Sequence, residues 1–468
     1  MSTVKNALPA LVLLAAGFGL ATVGYLVLDA DAAAPDAAPP APAAASSASK
    51  ATQFTLKNGL QVVVIPDHRA PVVTHMVWYR VGGTDDPPGL SGEAHLFEHL
   101  MFKGTKTVPN GELSKIVARN GGQDNAQTSH DFTVYFQRIA RDRLPIMMGL
   151  EADRMVNLDL SEPNVTTERD VVLEERHLRI DSEPQALAQE QMEAALQLTH
   201  PYGRPVIGWE KEIRSIGRVQ ANDFYQHRYA PNNAIVMVAG DVTPDEVKKI
   251  AEDKYGAVPS RELAPRVDEP TPPRLAETRL NFAIAGTKLP QLLRMYRVPG
   301  YVKAPRGTAE AMEVMSAILG NGATSRLYKT LVVDKKLAVE AGAAYDGHNR
   351  GPGTFVVFAV PRDGIGFDTL ETAMDQVIAG IMRSSPEEGE FARAKTQLIA
   401  NYTYQHDNQY LMAQDYGTAL SIGLTIQDVE DWPNRIRAVT AADVRKVAQT
   451  YLVKEEAVTG RMSPKAGP

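Results

Sequence analysis

The chain repeats itself at a spacing a little under half its length. Val219-Gln220-Ala221-Asn222-Asp223 and Val439-Thr440-Ala441-Ala442-Asp443 both open a helical pattern that reaches a tyrosine and then a strand. Tyr79-Arg80-Val81 recurs at nearly the same spacing as Tyr296-Arg297-Val298. Short matches that agree in spacing indicate a duplicated domain. The chain must therefore fold as two similar units.

A proline-rich stretch separates the two copies. Residues 259–273 contain five prolines and many charges, which is typical of an exposed linker. We predict homologous domains over residues 51–262 and 275–468. With 44% hydrophobic residues the chain can fill two or three cores, and its net charge of −7 gives no reason to expect a nucleic-acid partner.

The first 50 residues predict an export segment. Lys5 precedes Ala7–Leu28, which carries no charge, and an Ala/Pro/Ser-rich tether follows. The apolar run is long enough for a membrane anchor, whereas Ala30-Asp31-Ala32 resembles a signal-peptide cleavage site. Either reading places the folded part in the periplasm, in contact with a membrane only through this segment. The chain has no cysteine, which excludes disulfides, thiol nucleophiles and cysteine zinc sites.

Strands and helices alternate in a mixed order after residue 53, which indicates the α+β class. An Asn-Gly turn joins two strand-like runs, and Ser91 is a plausible N-cap for the helix that follows the next strand. The predicted elements are strands within Phe54–Ile65, at Val72–Val81, Gln123–Ser129 and Phe132–Ile139, and helices at Ser91–Phe102, Asp142–Asn157 and Val165–Leu198.

The segment His95-Leu96-Phe97-Glu98-His99, an H-x-x-E-H box, carries the chemistry of the chain. Residues four apart on a helix lie on one face, so the two imidazoles can share a metal ion. Glu98 is adjacent to the pair and can act as a base without being a ligand. A solvated polar helix face is the alternative, and a third ligand is needed to decide between them.

Glu175 is the best candidate for that third ligand. Glu168 and Glu175 are seven residues apart, almost two helical turns, so they share a face, whereas Glu174 points about a third of a turn away. Glu168 could then accept a hydrogen bond from a ligating imidazole or hold the water of the site. Arginines flank these glutamates, so the spacing alone is explained equally well by a charged surface helix with no metal ligand.

Residues 92–105, which include the box, resemble the active-site helix of the pitrilysin/insulinase-type inverzincin peptidases. The resemblance is greatest to the shorter branch that includes mitochondrial processing peptidase and its bacterial relatives. Glu168 and Glu175 match the second motif of this family. The similarity extends from Gln53 onward and includes Gly121–Thr128, His200–Gly203, Tyr229–Ala234 and Ser325–Tyr328.

The resemblance implies a zinc metalloendopeptidase with one Zn²⁺ per chain. The ion would be held by His95, His99 and Glu175, with Glu98 as general base and Glu168 as a second catalytic residue. Zinc lowers the pKa of its water towards about 7 and polarises a carbonyl.

The fold implied is two domains, each a mainly antiparallel sheet covered by helices, that face each other as a clamshell and admit peptides or unfolded segments. The strand around Asn125 and Ala126 would pair with an extended substrate. A homodimer, or a heterodimer with a related subunit, is expected.

The second half departs from the first at the metal-binding positions. A shift by the spacing of the two repeated motifs places His95 on Met312–Met315 and Glu175 on Ala392–Lys395, so no metal site is expected there.

Relatives hold the substrate carbonyl with an arginine and a tyrosine from a second-half strand. Here Phe355 stands at the arginine position and Arg362 lies near the tyrosine position. Arg326 and Tyr328 are better explained as helix-packing residues. If the pair is missing, a partner subunit would supply it.

Two other histidines lie near these motifs. We expect His177 to face away from the site, and His130 to lie in a turn where a substrate contact is an open alternative to packing. A non-catalytic scaffold subunit of the same fold is the competing function. Scaffolds typically lose residues of the box, so the intact set favours the enzyme.

Overall fold

The computed structural model describes residues 51–267, 271–287 and 289–465. The predicted export segment lies outside these ranges. Within them, every helix is too short or too polar to cross a membrane.

The first domain contains six strands and eight α-helices. The strands are β1 Thr52–Thr55, β2 Gln61–Pro66, β3 Val72–Tyr79, β4 Gln123–Thr128, β5 Thr133–Ala140 and β6 Ala234–Gly240. The helices are α1 Glu93–Leu100, α2 Glu112–Arg119, α3 Leu144–Asn157, α4 Glu162–Arg176, α5 Pro184–Gln197, α6 Glu210–Ser215, α7 Arg218–Arg228 and α8 Pro244–Tyr255, with a π-helical turn at His177–Asp181.

The second domain contains five strands and seven α-helices within the described ranges. The strands are β7 Thr278–Ile284, β8 Gln291–Pro299, β9 Ala338–Asp346, β10 Pro352–Pro361 and β11 Ala457–Pro464. The helices are α9 Thr308–Gly320, α10 Phe367–Arg383, α11 Glu388–Gln405, α12 Gln409–Ile422, α13 Ile426–Glu430, α14 Trp432–Ala438 and α15 Ala441–Tyr451, with a second π-helical turn at Tyr328–Asp334.

The two sheets share one topology. The first has the order β1-β2-β6-β3-β5-β4 and the second β7-β11-β8-β10-β9, so the last five strands of the first sheet correspond to all five of the second. Only β2–β6 and β7–β11 pair in parallel among the described strands. Tyr79 is in register with Ala234 on β6, and Tyr296 with Ala457 on β11, so the repeated tyrosines occupy equivalent positions. The predicted pair of α+β domains is confirmed.

The central strands are apolar because both of their faces are covered. All seven residues of β6 are buried. The core on one face includes residues of α1, α3 and α8. On the other face lies α12, which belongs to the second domain. A strand buried on both faces reads as a continuous apolar run, which explains Ala-Ile-Val-Met-Val-Ala-Gly.

The two domains interlock by exchanging one helix each. Met192 of α5 packs against the second sheet, and Tyr416 of α12 packs against the first. Both contacts depend on a glycine: a Cβ on Gly417 would lie 2.1 Å from Trp78 Cε2, and one on Gly460 would lie 2.2 Å from Met192 Sδ. Each sheet therefore needs the other domain to complete its core.

Ser91 is not the N-cap of α1, which corrects the prediction. The cap position is Gly92, at φ 90°, and the Asp86 carboxylate accepts the backbone N–H groups of Gly92 and Ala94 at 2.8 Å each. The Ser91 hydroxyl instead accepts the backbone N–H of Trp209 at 3.0 Å. A carboxylate from the preceding loop thus replaces the local hydroxyl.

The predicted helix at Val165–Leu198 is two helices. α4 ends at Arg176, the π-helical turn His177–Asp181 follows, and α5 begins at Pro184. Proline has no backbone N–H and its ring clashes with the preceding turn, so Pro184 can start a helix but not continue one.

Candidate metal centre

Helix α1 directs His95 and His99 away from the core. Leu96, Phe97 and Leu100 are fully buried, and the Phe97 ring lies 4.4 Å from that of Tyr229. His95 and His99 therefore project from the opposite side, with ring centroids 4.9 Å apart. The apolar face of α1 fixes the direction of the two imidazoles.

Glu175 of α4 joins the two histidines. His95, His99 and Glu175 each place one potential ligand atom within 4.8 Å of the others. Glu175 Oε2 lies 3.3 Å from His99 Nε2 and 3.8 Å from His95 Nε2. Tetrahedral zinc with ligands at about 2.0–2.2 Å holds neighbouring ligand atoms about 3.4 Å apart. The donor set and its spacing fit zinc.

Glu168 and Lys103 support this group. Glu168 Oε2 lies 3.3 Å from His99 Nδ1, the ring nitrogen that points away from Glu175. Its other oxygen, Oε1, forms an ion pair with Lys103. A carboxylate on Nδ1 fixes the tautomer and orientation of a ligating imidazole. Glu174 is exposed and lies outside the group.

Glu98 lies beside the three potential ligands. Burial raises the pKa of its carboxyl group, although a hydrogen bond from the Thr128 hydroxyl opposes the shift. A carboxylate whose pKa is raised towards neutrality is better suited to accept and return a proton.

The charges of the centre are strongly coupled. Burial and the neighbouring His99 lower the pKa of His95 to about 4. Burial alone would lower the pKa of His99, but hydrogen bonds with Glu168 and Glu175 outweigh it and raise that pKa to about 9. The hydrogen bond with His99 lowers the pKa of Glu175 to about 2. Near neutral pH without an ion, His99 is therefore the protonated member of the group.

The centre opens into a cavity of about 660 Å³ between the two domains. His95, Glu175 and Thr128 line it from the first domain, and the second domain contributes Met295, Asp346, Asn349, Pro352 and Thr354. A volume of this size is typical of a ligand-binding cleft.

Strand β4 forms the edge of the first sheet at this cavity. It pairs with β5, and its outer side has no partner strand among the described residues. Gln127 and Thr128 line the cavity, whereas Asn125 and Ala126 lie further along the strand. The Asn125 side-chain oxygen accepts the backbone N–H of Ala126 at 2.9 Å.

Two family models match the chain, one after the other. The description "Insulinase (Peptidase family M16)" matches residues 61–209, and "Peptidase M16 inactive domain" matches residues 215–398. An uncharacterised zinc protease of Mycobacterium leprae is 30% identical over 412 residues, which cover 86% of this chain and 89% of the relative. The chain belongs to the M16 peptidase family. The predicted family is confirmed.

Other M16 proteins match over a similar extent. The zinc protease PqqE of Helicobacter pylori is 29% identical over 425 residues, covering 89% of this chain and 93% of that protein. The crystal structure of a protease from Helicobacter pylori superposes with a TM-score of 0.82 at 28% identity, covering 89% of this chain and all of that one. The relatives from Mycobacterium leprae and Helicobacter pylori are both named zinc proteases, and the group at His95, His99 and Glu175 is chemically suited to zinc.

The second M16 domain has no equivalent metal group among the described residues. The left-handed caps of α1 and α9, Gly92 at φ 90° and Gly307 at φ 88°, show which residues correspond. They place His95 on Glu310, Glu98 on Glu313 and His99 on Val314. The predicted match of His95 to Met312–Met315 is therefore wrong. The loop before α9 is shorter than the loop before α1, so the spacing of the repeated strands does not hold for these helices.

The residues that stand at the expected arginine and tyrosine positions, Phe355 and Arg362, do not line the cavity. Phe355 is fully buried in the second core, and the Arg362 guanidinium donates to the backbone oxygen of Ala338 at 3.0 Å. Arg326 forms an ion pair with Glu390 of α11, and Tyr328 packs against the second core, as predicted. Among the described residues that line the cavity, Arg179 is the only lysine or arginine.

The two remaining histidines lie as follows. His177 is exposed and within 3.4 Å of the Ser182 hydroxyl, outside the cavity lining. His130 lines the cavity and lies in the turn between β4 and β5, where its Nε2 is 3.2 Å from the backbone oxygen of Arg204.

Sequence reasoning missed four residues that support the M16 centre: Asp86, Lys103, Thr128 and Arg179. Arg179 follows Glu175 by the four residues of a helical turn, so spacing could have found it. Lys103 lies beyond the end of α1 and pairs with Glu168 of α4, so helical spacing does not mark it. Asp86 and Thr128 act across loops and strands, and no local pattern marks them.

Proposed function

We propose that this protein is a zinc-dependent endopeptidase that hydrolyses peptides or unfolded protein segments, with one Zn²⁺ per chain. The observation that supports the proposal is the open group of His95, His99 and Glu175, of which His95 and Glu175 line the interdomain cavity. Glu98 lies behind Thr128, a cavity-lining residue whose hydroxyl donates to the Glu98 carboxylate. A closed structural zinc site would have four protein ligands, whereas a catalytic one keeps a position free.

The residues would divide the work as follows. His95, His99 and Glu175 would hold Zn²⁺, which supplies a Lewis acid that polarises the scissile carbonyl and acidifies water. Glu98 would accept a proton from the attacking water and donate it to the leaving amine. The Thr128 hydroxyl would orient the Glu98 carboxylate, and Glu168 would hold His99 in the required tautomer.

The substrate would bind in an extended form along β4. The free outer edge of this strand, which contains Asn125 and Ala126, can add one more strand through backbone hydrogen bonds. Such binding depends little on side chains and requires a substrate backbone whose hydrogen-bonding groups are free. A folded protein has few such segments, so peptides or unfolded segments are the expected substrates.

A partner-dependent enzyme is the second candidate. It is favoured by the burial of Phe355 at the position where relatives have an arginine. A second subunit, identical or related, would then complete the substrate site. Cleavage by the isolated chain against cleavage after addition of a related subunit separates the two candidates.

The central experiment compares Glu98→Gln with wild type. We expect both proteins to bind one zinc and only the wild type to cleave unfolded peptides, because a glutamine side chain cannot accept a proton. Glu174→Gln, which changes an exposed glutamate outside the group, is the matched control and should cleave normally. Equal cleavage by wild type and E98Q would contradict the mechanism. Zinc binding without cleavage, even with a related subunit added, would favour the scaffold.

We also propose that the folded part is exported to the periplasm. The uncharged run at residues 7–28 and the Ala/Pro/Ser-rich tether support this proposal. Fractionation of cells that express the full chain, with N-terminal sequencing, would test it. Recovery of the intact chain in the cytosolic fraction would contradict it.

A further inference from the structure

Arg179 forms an ion pair with Glu175, the third potential ligand of the metal centre. It follows Glu175 by one helical turn, and its Nη1 lies 2.6 Å from Glu175 Oε1. Its side chain is 73% exposed and lines the cavity. The guanidinium therefore sits at the metal centre rather than on a distant surface.

The two oxygens of Glu175 have different partners. Oε2 faces the histidines, 3.3 Å from His99 Nε2, whereas Oε1 is held by Arg179. A carboxylate with both oxygens free can offer both to an ion. At a three-ligand zinc centre, the second oxygen would take the position that must stay open for water or substrate.

An exposed arginine can act in this way only if its backbone is fixed. The π-helical turn that carries Arg179 is anchored at its start by Arg176, which is buried. The Arg176 guanidinium binds Glu190 at 2.8 Å, the backbone oxygen of Gly208 at 2.8 Å, and Asp181 at the end of the turn at 3.2 Å. Both ends of the turn are thus held together. Single π-helical turns are often found at functional sites.

We propose that Arg179 is a positioning residue that restricts Glu175 to one ligand oxygen and so keeps one coordination position open. The consequence for hydrolysis rests on the proposed function. The consequence for metal coordination does not, because it concerns only the binding of an ion.

The test compares Arg179→Gln and Arg179→Lys with Arg214→Gln. Arg214 is a close control: it pairs with Glu210 four residues earlier at 2.7 Å, its side chain is 61% exposed, and it does not line the cavity. The readouts are the visible absorption spectrum of the cobalt(II)-loaded protein, zinc affinity by chelator competition, and kcat and KM for an unfolded peptide.

We expect R179Q to shift the cobalt spectrum towards that of a higher coordination number and to bind zinc at least as tightly as wild type. Its kcat should fall by about 10–100-fold at unchanged KM, as is typical when an outer partner of a ligand is lost. R179K should restore part of both signals, and R214Q should match wild type. Thermal midpoints of R179Q and R214Q should agree.

A cobalt spectrum of R179Q identical to that of R214Q would overturn the proposal. So would a rise in KM alone, which would make Arg179 a substrate contact. If the wild type cleaves no peptide, the proposed function fails, but the cobalt spectra still decide whether Arg179 positions Glu175.

Discussion

Zinc binding should be strongly coupled to the protonation of His99. An imidazole must be neutral to bind a metal ion, and hydrogen bonds with Glu168 and Glu175 raise the pKa of His99 to about 9. His95 has its pKa lowered to about 4 and Glu175 to about 2, so neither carries a proton above pH 6. Between pH 6 and 9, one proton must therefore leave for each zinc bound.

The magnitude follows from the distance between the working pH and this pKa. At pH 7, two units below the pKa of about 9, protonation of His99 should weaken the apparent zinc affinity about 100-fold, or about 2.7 kcal/mol, relative to its high-pH limit. The contribution of His99 to the affinity should rise about tenfold per pH unit up to pH 9 and then level off.

Calorimetry and chelator-buffered titrations can measure this coupling. Titration with zinc at pH 7 in two buffers of different ionisation enthalpy should show the release of close to one proton from His99, and any release beyond that would come from water on the bound zinc. Glu168→Gln removes one of the two carboxylates that hold His99, so its plateau should begin at lower pH. The Glu174→Gln control should follow wild type.

An affinity that stays constant between pH 6.5 and 8.5, with no proton released, would refute the reasoning. It would mean that His99 is neutral in the metal-free protein and that Glu168 and Glu175 do not stabilise a protonated imidazole. The raised pKa of His99 also determines the direction in which the stability of the metal-free protein changes with pH. Because the folded pKa of His99 lies above its ordinary 6.5, the metal-free protein should lose this contribution as pH rises from 6.5 through 9.

Two further predictions concern the frame that holds the centre. Gly417→Ala should destabilise the protein by about 1–3 kcal/mol in urea unfolding, because its Cβ would lie 2.1 Å from Trp78 Cε2. Gly380→Ala, in a helix with no atom within 4 Å of the new Cβ, should be neutral or stabilising, and equal losses for both would contradict the interlock. Burial, and then Asp86, raise the pKa of Glu93 to about 8, so stability from this group is lost as pH rises from 4.5 through 8. Glu93→Gln does not titrate, and its thermal midpoint should gain on wild type between pH 5 and pH 9; a constant difference would show that Glu93 does not titrate in this window.

The sequence predicted correctly those features that depend only on residues close together in the chain. The box at His95, Glu98 and His99 spans about one helical turn, and the spacing of Glu175 from Glu168 is almost two turns, so both required only the geometry of a helix. The strands predicted for the first domain lie within a few residues of those in the structure for the same reason, since a buried sheet imposes an apolar run. The resemblance then selected Glu175 from two equal readings.

The errors arose where distant residues decide the outcome. Ser91 has the chemistry of an N-cap, but Asp86 reaches the helix start first from the preceding loop. The break between α4 and α5 is the exception, because Pro184 marks it locally and the predicted helix ran through that signal. The exchange of α5 and α12 between domains has no signature in either helix alone. It requires the complementary pairs Gly417 with Trp78 and Gly460 with Met192.

Among the described residues, the candidate metal group occurs in the first domain and not in the second, and the residues of two equivalent helices explain why. The inward residues of α1, Leu96, Phe97 and Leu100, correspond to Ala311, Met312 and Met315 on α9, and all six are buried. These positions maintain the core in both domains. The positions of His95 and His99, in contrast, carry different residue types on the two helices.

On α9 the position of His95 is occupied by Glu310, whose carboxylate binds Arg435 at 2.9 Å. The position of His99 is occupied by Val314, which is fully buried and offers no ligand atom. A metal centre there would need an imidazole in place of a packed valine and release of Glu310 from Arg435. Changes on one face thus remove the chemistry without disturbing the fold. For the same reason the repeat was visible in strands and helix starts and absent from the box.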